Sequence, residues 1–166
     1  MADVKIYYVS PSDATITLAS LASDTNLLAG RESNAIDNSS NLYLDYLISG
    51  KVTTGTSPTT ARSIEVWAVG SWDGTNWPDV FDGTDSAETI TSANHKASIC
   101  RFVASMSTDA TSDRTYHFGP VSMASVFGGT LPPKFVLFVV HNTAVNLNAT
   151  AGNHQIRIQP VYETVI

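Results

Sequence analysis

Three tryptophans, Trp67, Trp72 and Trp77, fall in one short stretch, with acidic and amide side chains among them. An exposed indole has a flat apolar face and a polar edge, so rings set beside carboxylates and amides can stack on a sugar. Trp67, however, sits within Ser63-Ile64-Glu65-Val66-Trp67-Ala68-Val69, a mostly apolar run that reads as a central strand and places Trp67 in a core. Trp72 and Trp77 flank Asp73-Gly74-Thr75-Asn76, which has the make-up of a tight hairpin turn because glycine accepts positive φ. Pairing of the two rings across that turn is the favoured reading. The alternative is a glycan-binding face made of Trp72, Trp77, Asp73 and Asp79.

The acidic stretch runs on through Asp82, Asp85 and Glu88. Hard carboxylate oxygens suit calcium, but their spacing here matches no calcium loop, and a solvated loop of Asx turns accounts for residues 73–88 better. Neither His-Glu-x-x-His nor paired cysteines occur, so no metal and no other cofactor is expected. His95, His117, His141 and His154 lie scattered, and the Gly-x-Ser-x-Gly turn that strains a serine nucleophile is missing. No catalytic residue is assigned, and the chain is not expected to be an enzyme. Cys100, the single cysteine, lies in the strand-like run Ser98 to Val103, where it reads as a small buried hydrophobe.

The elements that must position these groups are short β-rich runs broken by turn residues. They are Ile6 to Val9, Ala14 to Leu18, Leu42 to Ile48, Ser63 to Val69, Ile99 to Met106, Thr115 to Phe118, Lys134 to His141 and Gln155 to Val165. Ala151-Gly152-Asn153 reads as a second tight turn. Only Val121 to Phe127, between Gly119-Pro120 and Gly128-Gly129, suits a helical turn or two. The expected fold is all-β: a two-layer antiparallel β-sandwich of jelly-roll or related Greek-key topology with at most one short helix, in one domain over residues 1–166.

Charged residues make up 14% of the chain, against about 25% in ordinary soluble domains. A surface of hydroxyls and amides suits packing against other protein. The net charge is −6 and the nine cations are dispersed, which excludes the basic stripe that binding to nucleic acid needs. Phe135 to Val140, the longest apolar run, is too short to span a bilayer, so no membrane partner is expected. No signal-peptide pattern follows Met1, which implies synthesis without export; Asn38-Ser39-Ser40 and Asn148-Ala149-Thr150 then read as chance glycosylation patterns. Two stretches are long, polar and poor in β-formers, Ser20 to Asn41 and Lys51 to Arg62, and loops of that length are usually functional or disordered.

Leu28-Ala29-Gly30-Arg31-Glu32-Ser33, Ser63 to Ser71, Tyr116-His117-Phe118-Gly119-Pro120-Val121 and Val145-Asn146-Leu147-Asn148-Ala149 together resemble small virion structural proteins of tailed bacteriophages, the capsid decoration or cement type above all. The resemblance implies a β-sandwich, often trimeric, assembled in the host cytoplasm and seated on the capsid surface of the virion. Its partner is then the major capsid protein or another virion protein. In that setting Ser20 to Asn41 is expected to be an extended arm that orders on docking. Leu21, Leu27, Leu28 and Ile36 are its apolar anchors, and Arg31 and Glu32 its rim ion pairs. The alternative function is a carbohydrate-binding module for host adsorption, in a tail or fibre.

Overall fold

The computed structural model describes residues 3–165. The chain is an all-β, two-layer antiparallel sandwich. Its strands are β1 (Val4–Tyr8), β2 (Ser12–Asp13), β3 (Ala29–Glu32), β4 (Ile36–Asp37), β5 (Asp45–Thr53), β6 (Arg62–Gly70), β7 (Ala87–Thr89), β8 (Arg101–Thr108), β9 (Thr115–Ser122), β10 (Lys134–His141) and β11 (Gln155–Val165). One sheet runs β1-β11-β5-β9, with β2 also on β11; the other runs β7-β3-β10-β6-β8, with β4 also on β10. Sheet neighbours are mostly distant in sequence, so the chain crosses repeatedly between layers in the Greek-key manner.

Between the sheets, Tyr46, Ile48 and Val52 of β5 and Ile156 of β11 meet Ile64, Val66 and Ala68 of β6 and Phe135, Leu137 and Val139 of β10. The alternate residues of β10, Val136, Phe138 and Val140, point the other way into a second apolar cluster. That cluster is closed by the segment between β6 and β8, which supplies Trp77, Phe81, Ile90 and Cys100. The continuous apolar run of β10 thus reflects burial on both faces, not alternation with solvent. Gly30 of β3 makes this possible locally. A Cβ there would lie 2.3 Å from the Val139 carbonyl and 2.9 Å from the Phe138 ring.

Two short helices complete the fold. α2 (Met123–Val126) lies inside the expected Val121 to Phe127 stretch, capped by the Ser122 hydroxyl, and drives Met123 into the inter-sheet core. α1 (Ala93–Ile99) was not expected. At seven residues it is shorter than any amphipathic period can reveal, although Ser92 supplies a regular cap by accepting from the His95 amide. Lys96 fastens it: the ammonium donates to the Leu27 carbonyl at 2.7 Å, pairs with Glu65 at 3.2 Å and sits 4.5 Å from the Trp67 ring centre. Cys100 is buried at the end of α1, and burial pushes its thiol up to about 11.

The sequence readings are corrected at several points. Ala14 to Leu18 forms no ladder. It crosses from the first sheet to the second, with Ala14 donating to Ile156 and Thr15 accepting from Asn34, while Ala14, Ile16 and Leu18 still turn inward. Ser20 to Asn41 is not an extended arm. It contains β3, paired on one side with β10 and on the other with β7, and β4, paired with β10. Strands this short, written Ala-Gly-Arg-Glu and Ile-Asp, carry little β-propensity of their own; tertiary pairing makes them strands. The second long loop is also trimmed, because β5 runs on to Thr53.

Covering both faces of β10 has a measurable consequence. We predict that Phe138→Ala, on the outer face, destabilises the domain by about 3–5 kcal/mol, as much as Phe135→Ala between the sheets. Urea unfolding of the two variants measures it, and a near-zero cost for Phe138→Ala would contradict the second core.

Candidate functional site

β11 is longer than the sheet that holds it. Its pairing with β5 ends at Val161 opposite Asp45, whereas its pairing with β1 starts at Val161 and runs to Val165. Val4–Tyr8 and Tyr162–Val165 therefore form a two-stranded ribbon that continues past the end of β5. Residues directly opposite share a face, so Val4, Ile6, Tyr8, Glu163 and Val165 line one side and Lys5, Tyr7, Tyr162 and Thr164 the other. Val4, Ile6, Tyr7, Tyr8 and Val165 are each between 52% and 65% exposed. An isolated two-stranded hairpin is marginal in water, so this ribbon needs support.

The support is aromatic and one-sided. Tyr7 stacks near Tyr162 with ring centres 5.1 Å apart, Tyr162 lies 6.2 Å from Tyr43, Tyr43 5.6 Å from Tyr46, and Tyr46 5.6 Å from Phe135. This chain of rings ties the ribbon to the inter-sheet core. Tyr43 is held by Asn38, whose side chain donates to the Tyr43 carbonyl and accepts from its amide. Asn38 is thereby buried, and the loop it pins thrusts Leu42 and Leu44 into solvent beside the ribbon. Sequence reasoning placed strands over Ile6 to Val9 and Gln155 to Val165 but missed that their ends project. It also began a strand at Leu42 where the structure has this loop.

The tryptophans separate. Trp67 is half-buried on the outer face of β6, not between the sheets; its ring lies 5.3 Å from Phe102 and its Nε1 donates to Glu65. Trp72 and Trp77 are not a cross-strand pair, because no strand flanks their turn. Trp72 is 74% exposed, whereas Trp77 packs into the outer cluster against Gly83, where a Cβ would come within 3.0 Å of the indole. The acidic residues are each engaged in local bonds. Asp73 accepts from the Asn76 and Thr75 amides, with the Asn76 contact first in lowering its pKa. Asp79 accepts from the amide and hydroxyl of Thr91, which outweigh the opposing effect of burial on its carboxyl. Among the described residues no three His, Cys, Asp or Glu side chains converge as a metal site would require. No family model matches the chain, and no curated protein matches it.

The six residues expected to dock a partner belong instead to the domain itself. Ile36 is buried between the sheets, and Leu21 packs against that core while its carbonyl accepts from His141. Leu27 packs into the outer cluster, and Leu28 is half-buried, its amide donating to Asp24. Arg31 forms an ion pair with Asp85. Burial would raise the Asp85 carboxyl, but bonds from Arg31 and Thr17 prevail and hold it low. Among the described residues no cation pairs with Glu32. Fully buried, it accepts from the Gly83 amide at 2.7 Å and the Asp82 amide at 3.3 Å, and so clamps the outer segment onto β3. Burial pushes its pKa up to about 7 in spite of those bonds, and Asp82 and Glu88 push the same way.

The pH dependence follows. Between the ordinary carboxyl value and about 7 the unfolded chain releases the Glu32 proton while the folded chain keeps it, so stability falls as pH rises through that window, by about 3 kcal/mol at most. Buried His141 and half-buried His154, whose pKa values desolvation lowers, act oppositely, so the difference between proteins isolates Glu32. We predict that Glu32→Gln, which keeps an acceptor for Gly83, flattens the decline. Chemical denaturation of both proteins from acid to neutral pH checks this, and parallel curves would refute it.

Proposed function

We propose that this chain is a structural protein of a bacterial virus particle, one that decorates or cements the shell by binding between its subunits. The observation that carries the reading is the projecting ribbon, which exposes Val4, Ile6, Tyr7, Tyr8 and Val165 and is flanked by Leu42 and Leu44. A protein that works by being bound needs a rigid body and a surface that gains by being covered. The doubly buried β10 supplies the first, and the ribbon with its pinned loop supplies the second. The sparse charge of the surface accords with life among close neighbours, and the resemblance to decoration proteins supplies the setting. In this reading Leu42, Leu44 and Val165 face the major capsid protein or another virion protein.

A second reading keeps one specific observation. Trp72 stands out from its turn beside Asp73, as a platform for a sugar ring in an adsorption module would. The two readings predict different losses.

We expect Leu42→Ser combined with Leu44→Ser to lower affinity for particles lacking the protein by at least about a hundredfold, since each covered leucine contributes roughly 1.5–3 kcal/mol. The thermal midpoint of the free protein should not move, because both side chains already lie in solvent. Co-sedimentation with particles and antibody labelling measure occupancy and place. Undiminished binding by the double variant removes the proposed surface. Label confined to the tail tip, with glycan retention abolished by Trp72→Ala, transfers the function to adsorption.

A further inference from the structure

The outer edge of β1 meets no strand among the described residues. Which backbone groups it offers follows from one hydrogen bond. The Val9 amide donates to the Pro160 carbonyl at 2.9 Å, so Val9 turns its polar groups toward β11. Antiparallel pairs alternate, and therefore Tyr7 and Lys5, opposite Tyr162 and Thr164, do the same. Val4, Ile6 and Tyr8 then turn their N–H and C=O groups outward. That outward set is symmetric about Ile6.

We infer that the β1 edge pairs antiparallel with β1 of a second copy of this chain, about a two-fold axis at Ile6, joining the two β1–β11 ribbons into one four-stranded sheet. In this register Ile6 exchanges both backbone bonds with Ile6 of the other copy, and Val4 does so with Tyr8. The parity is correct without any shift, because every residue that would bond is one that already points outward. The same register puts Val4 against Tyr8 on one face and Lys5 against Tyr7 on the other, so no like charges meet and the ammonium lies beside a ring.

The other short edges of the fold are treated differently. β7 and β2 are three and two residues long, the usual way of blunting an edge. β1 has five residues and no proline, and beside its one charge, Lys5, four large apolar side chains are more than half exposed. A five-residue edge is small, at or below the roughly 1,000 Å² of total buried area that a specific interface clears, so the pairing is a weak one. A two-fold dimer of micromolar strength fits that area, in place of the trimer that the resemblance implies.

Sedimentation equilibrium of the full chain, from about 1 to 100 µM, should show monomer and dimer in exchange. Ile6→Pro removes only an outward N–H and leaves the β11 ladder intact, so it should raise the dimer Kd by about a hundredfold or more with an unchanged circular dichroism spectrum. Should that variant fail to fold, Ile6→Lys, which sets two ammonium groups opposite each other, decides the matter with the same expected loss. Wild-type monomer throughout, a trimer, or a dimer indifferent to the folded variant overturns the inference. It goes beyond the particle reading and fails separately from it: shells labelled by a strictly monomeric protein refute the pairing alone, and a dimer that never labels shells refutes the particle reading alone.

Discussion

Burying both faces of β10 removes more apolar surface from water than a plain pair of sheets would, and it imposes conditions on everything placed around that strand. Phe135, Leu137 and Val139 need the first sheet, whereas Val136, Phe138 and Val140 need a second cover. The backbone of β10 needs partners on each side, which β6, β3 and β4 provide. Ser71 to Cys100 is the second cover. It is poor in regular structure, with only the three-residue β7 laddered onto β3, so side-chain polar groups do much of the fastening. Glu32 holds Asp82 and Gly83, Arg31 holds Asp85, and Lys96 holds α1 to the Leu27 carbonyl and Glu65.

Those fasteners explain why the segment from Ser20 to Asn41 is so polar without being free. A buried carboxylate costs free energy unless donors meet it, and the donors here are backbone amides rather than a cation. The cost that remains appears as the raised Glu32 pKa. His141 meets the same constraint from the other side: desolvation lowers its pKa, and its Nε2 donates to the Leu21 carbonyl. Polar residues that suggest an arm in sequence are thus the rivets of an outer layer.

The ribbon is the complement of this tightly closed body. The same apolar residue types that bury β10 leave β1 in solvent, because β5 stops at Asp45 and no outer layer reaches that end of the sheet. Its rings remain coupled to the core through Tyr162, Tyr43 and Tyr46. A surface held in this way is ordered before it binds, so little conformational entropy is lost on docking. That property separates it from the flexible arm expected of Ser20 to Asn41.

The sequence by itself determined the class of fold, the helical turn near Met123 and the buried place of Cys100. Each rests on local pattern, which side-chain period and turn chemistry carry along the chain. Only the tertiary structure decided which apolar run is covered. Phe135 to Val140 and Ile6-Tyr7-Tyr8 read alike, as β-formers without clean alternation, yet one is buried on both faces and the other exposed on both. Likewise Ala29–Glu32 reads as loop and is a strand, while Leu42 to Leu44 reads as strand and is loop. The reason is physical. Periodicity fixes which way a side chain points relative to its neighbours, but burial depends on what arrives from elsewhere in the chain, and here that is set by where β5 ends and where the segment before α1 comes to rest.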